Sequence, residues 1–485
     1  MESQNGIVSG LFWKLLERFG VQAGQFVLQL ILARLLDPSH YGVLSMMLVF
    51  TNLANIFVQS GLNTSLIQKK NTDERDFSSV FWTNITMAVF LCIVLFFAAP
   101  VIADFYNMPE ITAPFRVLTL ALIPGGFNSV QIAKVSRDLD FKKIFRSNLL
   151  AIIISGGVGI ALALLGAGLW ALVVQYILNL AVACIVMWFT VKWRPHFIFD
   201  FERFKRLFGF GWKLLVSNLI NTLYMDLNSL FIGKQFTSSA LGYFNRGKQF
   251  PSFLVVSLDS AVQSVMLPSM SSRQDNRSSV KSLMRNSIIV CTYLVLPMMA
   301  GLAAVASPLV SLLLTDKWLP CVPYIQAYCF TFAFYPIHSC NLQAINAVGR
   351  SDIYLKLEII KKTIGVIALL LAVFVFKSVL AIALSGCVTT ITSCFINAYP
   401  NKKLINYSYF EQMRDMLPPF VVSLIMCGIV LLIGTLKLPT IVLLGVQMLS
   451  GIVIYLGLSY IFKLKGLMTV IAVVKNLLNK KKSKA

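Results

Sequence analysis

Charge is scarce in this chain, and negative charge scarcest. Only 13% of its 485 residues are charged, with 20 acids against 42 bases. From Ser147 to Val191 there is no charged residue at all. Soluble domains carry about 25% charge, so this composition excludes a water-soluble core. The three histidines, His40, His196 and His338, are dispersed, and the nine cysteines form no CxxC pair. That excludes a disulfide framework and a recognisable metal centre, and no cofactor is expected. No GxxxxGK[ST] run occurs, which speaks against ATP-driven work by this chain itself. Asp37, Asp104, Glu110 and Asp316 stand in short connections without a paired-carboxylate spacing. A membrane glycosyltransferase or polymerase would need such a pair, so the sequence does not read as an enzyme. A cleavable signal peptide is not expected either, because the first apolar stretch is long and carries Lys14, Glu17 and Arg18.

What is abundant is apolar surface. Apolar residues make up 57% of the chain and the mean hydropathy is +0.76. The expected fold is an all-α integral membrane protein with about 14 transmembrane helices. The first span is placed at 11–34 and the second at 42–63. The fourth is expected at 112–133, the seventh at 208–232, the tenth and eleventh at 322–346 and 357–376, and the last at 439–462. With the N-terminus in the cytoplasm, 31 of the 42 Lys and Arg fall on the cytoplasmic side, eight opposite and three within spans. That bias predicts cytoplasmic N- and C-termini. The net charge of +22 therefore reports topology and contact with the lipid bilayer, and no nucleic acid is expected as a partner.

The chain also repeats itself. Trp13-Lys14-Leu15-Leu16 returns as Trp212-Lys213-Leu214-Leu215. After the first copy, polar residues fall at Lys14, Arg18, Gln22, Gln25 and Gln29; after the second, at Lys213, Ser217, Asn221, Tyr224 and Asn228. At about 100° per residue, these shared offsets keep each stripe within an arc of roughly 80°. Lipid cannot satisfy such a stripe, so it must face protein or water. Further matches link Val58-Gln59-Ser60 with Val262-Gln263-Ser264. The run from Pro124 through Arg137 to Phe141 parallels that from Pro336 through Arg350 to Tyr354. Six spans separate the copies, which makes this a parallel repeat. The predicted organisation is an N-terminal six-helix lobe over 1–200 and a second over 201–400. Residues 401–485 add two helices and a basic tail.

The segment ARLLDPSHYG from Ala33 to Gly42, the RDLDF run from Arg137 to Phe141 and the 6+6+2 helix plan resemble bacterial polysaccharide flippases of the Wzx type. These share a superfamily with the MATE exporters and the lipid II flippase. The resemblance implies a V-shaped pair of lobes around a central cavity, in the bacterial cytoplasmic membrane. It also implies a cargo of oligosaccharide on polyprenyl pyrophosphate, moved to the outer leaflet for surface polysaccharide biosynthesis, with other biosynthesis proteins as candidate partners. An ion-coupled drug or metabolite exporter of the MATE type is the alternative. The extra helix pair favours lipid-carrying branches over drug exporters.

Candidate residues follow from the stripes. Lys14, Arg18 and Lys213 are expected to hold the cargo's diphosphate, because fixed cations replace lost water around phosphate. Gln22, Gln25, Gln29, Asn221, Tyr224 and Asn228 are expected to line the cavity. Asn55 and Gln59, on a polar face shared with Asn52 and Asn63, and Gln263, on a face shared with Asp259, join them. Glu17, Asp226 and Asp259 are acids within spans, each costing about 3 kcal/mol if unpaired at mid-membrane. They are candidates for coupling to H+ or Na+, or for static pairing with a Lys or amide. Lys234, Arg246 and Lys248 read as surface charge. Pro124, Pro297 and Pro336 fall inside apolar segments, where proline commonly kinks a helix.

Overall fold

A computed structural model describes the backbone of residues 2–59, 61–70 and 72–471. Side chains are described from residue 19 onward, apart from 210, 257, 261 and 264. Every regular element among these residues is helical. Packing divides the chain into two compact units, residues 1–242 and 243–485.

The first unit holds α1 (Glu2–Leu35), α2 (Pro38–Gln59), α3 (Leu62–Gln68), α4 (Glu74–Tyr106) and α5 (Thr112–Thr119). It continues with α6 (Leu122–Arg137), α7 (Phe141–Leu164), α8 (Leu169–Thr190) and α9 (Phe201–Gln235). The division falls inside α10 (Ser238–Ser271). The second unit continues with α11 (Arg277–Leu314), α12 (Val322–Ala333), α13 (Tyr335–Ala347) and α14 (Ser351–Leu370). Last come α15 (Val379–Ile405), α16 (Tyr409–Ile433) and α17 (Thr440–Ile461). The packing boundary thus lies about one helix later than the repeat boundary, because α9 packs on α2, α3 and α4 of the first unit.

Nine helices among the described residues are long and apolar enough to cross a bilayer. The first and seventh expected spans, on α1 and α9, are not among the nine, and several segments differ from their expected course for local reasons. The fourth segment is broken between α5 and α6, and the tenth between α12 and α13. Pro124 and Pro336 sit in the first turns of α6 and α13, where a missing N–H costs nothing. They start half-helices and do not kink whole ones. The second segment ends early: Gly61 adopts φ +66° between α2 and α3, which places Asn63 on a separate short helix. The eleventh combines α14 with a π-helical turn at Leu371–Val375.

Both units build an apolar core from the same parts of the repeat. In the first, Leu62, Leu66, Phe77, Phe81, Val130 and Trp193 pack together. In the second, Met266, Met270, Val280, Met284, Ile337 and Tyr407 do so. Outside these cores, α4 exposes Ile93, Phe97 and Val101, and α17 exposes Ile441, Leu449 and Val453. Water would penalise these stripes by about 25 cal/mol per Å2, whereas lipid accepts them.

Helix starts are capped as their sequence dictates. Asp73 and Asp76 form a capping box on α4, Asn276 caps α11 and Ser408 with Glu411 caps α16. The first turns of α2 and α10 cross at Gly42 and Gly242. A Cβ on Gly42 would lie 1.7 Å from the Ser238 carbonyl oxygen, and one on Gly242 2.1 Å from that of Pro38. The glycine of the ARLLDPSHYG run and its repeat counterpart thus permit one close approach.

Candidate functional site

The backbones of Lys14, Glu17 and Arg18 belong to α1, but their side chains lie outside the described residues. The rest of that stripe is described. Gln22, Gln25 and Gln29 are all half-buried. Gly20, Gly24 and Leu28 face Phe145, Ile152 and Gly156 of α7, while Phe19, Val27 and Ile31 are exposed. At 100° per residue the glutamines point about 150° away from that exposed apolar face. In a bilayer they are therefore turned from lipid.

The second stripe is more open. Lys213, Ser217 and Asn221 are exposed, whereas Tyr224 and Asn228 are half-buried. Trp212, Val216, Ile220 and Leu223 form the exposed apolar face of the same helix, about 100° round from the polar one. One helix thus presents two solvents' worth of side chains, an apolar face for lipid and a polar face for water.

Acids and amides within the helices have partners. The Asn52 amide on α2 donates to Asp226 on α9 at 3.5 Å. Asp259 is buried, and the Gln263 amide donates to it at 2.6 Å. Gln263 also donates to Ser339 at 3.3 Å and accepts from Gln343 at 2.9 Å, so α10 and α13 are stitched by one polar network. Ser339 and Gln343 share one face of α13 by their i, i+4 spacing, a signal in the sequence that the longer stripes overshadowed. Asn63 accepts from Asn84 at 3.3 Å, and Asn84 donates to Ser129 at 2.8 Å. Asn63 therefore serves interhelical bonding within the first unit. Asn55 is half-buried and Gln59 exposed near the end of α2.

Arg246 corrects an expectation: it is 4% exposed, stacked over Trp318 and bonded to Gln249 at 2.7 Å. It is an interior cation. Lys234 donates to the Phe105 carbonyl and lies over its ring.

The connections at one end of the first unit carry an ion network. Asp76 pairs with Lys69 at 2.6 Å, and Arg203 reaches Asp73 and Asp200. Partial burial works to raise the Asp73 pKa, but the Asp76 N–H and the Arg203 guanidinium outweigh it and hold the carboxyl below its usual value. Arg137 of the RDLDF run donates to the carbonyls of Leu66, Lys69 and Lys70 at 2.9, 2.5 and 2.7 Å, capping the C-terminus of α3. Arg350, matched to it by the sequence repeat, stands instead at the N-cap of α14, the place that Asp140 takes before α7, and pairs with exposed Asp352 at 2.8 Å. No group of three or more His, Cys, Asp or Glu able to hold a metal occurs among the described residues.

Comparison with known proteins agrees with this architecture. The chain is 22% identical over 433 residues to the lipopolysaccharide biosynthesis protein WzxC of Escherichia coli (strain K12), covering 87% of each chain. It is 25% identical over 350 residues to the teichuronic acid biosynthesis protein TuaB of Bacillus subtilis (strain 168), covering 72% of each. Among solved structures, the lipid II flippase MurJ in an inward closed conformation superposes with a TM-score of 0.74 at 16% identity. That superposition covers 93% of this chain and 98% of MurJ. The model of the polysaccharide biosynthesis protein family matches residues 31–323, more than half of the sequence, and the chain belongs to that family.

Proposed function

We propose that this protein is a flippase that moves a polyprenyl-pyrophosphate-linked oligosaccharide across the bacterial cytoplasmic membrane by alternating access. The observation that carries the reading is the two-faced α9. A helix among apolar spans that exposes Lys213, Ser217 and Asn221 beside Ile220 and Leu223 fits a wall between lipid and a wet path. The half-buried glutamines of α1 provide a second such face, and membership of a polysaccharide biosynthesis family supports the cargo.

In this reading the chain spans the membrane about 14 times with both termini cytoplasmic, as two six-helix lobes and an added pair. Lys14, Arg18 and Lys213 take the diphosphate, and the amides and hydroxyls of both stripes meet the sugar hydroxyls. Asp226 and Asp259, with Glu17, are the candidates for H+ or Na+ coupling. The pairing of Asp226 with Asn52 and of Asp259 with Gln263 equally suits static interhelical bonds.

The test is surface polysaccharide export in cells depleted of the native protein. Export should fall in the order wild type, Arg18→Lys, Arg18→Ala and Arg18→Glu, because Lys keeps charge without the bidentate fork. Lys213→Glu should behave like Arg18→Glu. Full export by both glutamate variants at normal protein levels would remove the electrostatic account. Reporter fusions at Lys70, Arg137, Arg277 and Lys403 should all read cytoplasmic, and outward signals at two of them would overturn the lobe assignment.

A further inference from the structure

A cavity of about 700 Å3 opens at one end of the second unit, between the start of α11, the start of α16 and the turn after α17. Its wall is divided. Ile289, Tyr293, Leu417, Pro418 and Phe462 are apolar, and Leu417 and Phe462 continue onto exposed helix flanks. Arg285, Arg414, Lys463 and Lys465 bring positive charge, with Glu411 and Asp415 as the acids.

The acids are already engaged. Asp415 accepts from Arg285 at 2.6 Å and from the Tyr407 hydroxyl at 2.8 Å, and Glu411 pairs with Lys281 at 2.9 Å. No hydrogen bond or ion pair among the described residues engages the side chains of Arg414, Lys463 or Lys465, all three of which are exposed. The turn that brings the lysines here is purpose-shaped. Lys463 takes φ +48°, and the N–H groups of Lys463 and Leu464 bond back to Tyr460 and Ser459 at 3.2 and 3.0 Å. Glycine usually occupies that left-handed position; here it is a lysine. Three residues on, a Cβ at Gly466 would meet Cβ of Tyr293 at 2.5 Å, and the Tyr455 hydroxyl bonds the Tyr293 carbonyl at 2.8 Å. The turn is thus clamped onto α11, and the cations are held over the apolar wall.

We propose that this pocket binds the headgroup of an anionic phospholipid, at a site separate from the polar stripes. The phosphodiester would sit among Arg414, Lys463 and Lys465, and the first methylenes of the acyl chains on Leu417, Pro418 and Phe462. The combination decides the ligand. α11, α16 and α17 are all apolar enough to span a bilayer, so their shared end lies at a membrane–water boundary, where phosphate and acyl chain meet. A soluble anion would have no use for the apolar wall.

The test is native mass spectrometry of the full-length protein in detergent, titrated with phosphatidylglycerol or phosphatidylcholine. Phosphatidylglycerol should form one preferred adduct. The triple variant Arg414→Gln, Lys463→Gln, Lys465→Gln should weaken it on the order of a hundredfold, as expected for cations that each contribute about fivefold. Neutralising Lys402 and Lys403, exposed on α15, should change it by less than about threefold. Lys463→Gly supplies the check on folding: relief of the left-handed backbone should raise the unfolding midpoint without lipid, while phosphatidylglycerol affinity falls. Equal binding of both lipids, or equal loss from the two sets of neutralised residues, would overturn the proposal. Displacement of the adduct by millimolar inorganic phosphate would also overturn it, by showing a site for a soluble anion.

Discussion

Arg137 and Arg350 are matched by the sequence repeat but stand at different places, Arg137 as the last residue of α6 and Arg350 as the N-cap of α14, and replacing them should have very different consequences. Arg137 is half-buried and satisfies three main-chain carbonyls at the end of α3, two of them at 2.9 and 2.7 Å. A charge-assisted hydrogen bond contributes about 1.5–3 kcal/mol when buried. Discounting for partial exposure to roughly 1 kcal/mol each, Arg137→Ala should destabilise the first unit by about 3 kcal/mol. For a unit of some 240 residues, that corresponds to a fall in unfolding midpoint of roughly 6–12 °C. Arg137→Lys keeps the charge but reaches fewer carbonyls, and should lie about midway. Among the described residues Arg350 pairs only with Asp352, the two side chains being 48% and 53% exposed. Arg350→Ala should therefore shift the midpoint by no more than about 2 °C, as for other surface ion pairs. Fluorescence-detected size exclusion after heating in detergent would measure both. Equal shifts, or a larger one at Arg350, would refute the claim that the carbonyl cap makes the difference.

Three further outcomes follow from the same geometry. Cysteine at Gln22 or Gln25 should react with a small hydrophilic thiol reagent in a cysteine-free background, whereas cysteine at Val27 or Ile31 should not; Leu28 is a poor control because it is buried against α7. Asp259→Asn should leave the protein folded, since an amide oxygen can still accept from Gln263, but should slow export if the acid couples transport to an ion; unchanged export would assign Asp259 a static role. The Asp352 carboxyl is held down to about 2, chiefly by its hydrogen bond from Arg350. Its folded pKa is depressed, so the small stabilising effect is complete above its ordinary value near 4 and is lost as pH falls towards 2. The Arg350→Ala difference should therefore be constant across neutral pH and vanish only in strong acid.

Much of this protein was settled by local sequence. Apolar runs made the nine long apolar helices among the described residues legible, because a bilayer demands about twenty apolar residues per helix wherever the helix stands. The stripes on α1 and α9 were legible for the same reason: residues sharing an angle on a helix share it in any tertiary setting. Repetition of WKLL announced two matched helices, whereas the runs through Arg137 and Arg350 did not mark one position, since Arg137 ends α6 and Arg350 caps α14. Only the fold decided what those positions meet. Arg137 finds the carbonyls of α3 some 70 residues earlier, and Asp259 finds Ser339 and Gln343 through Gln263. Arg246 looked like surface charge until Trp318 was found beneath it. Pro124 and Pro336 looked like kinks until the half-helices they start came into view. Periodicity is a property of neighbours along one helix, which the chain encodes directly. Partnership between distant residues is set by how helices pack and loops close, which no single stretch of sequence contains.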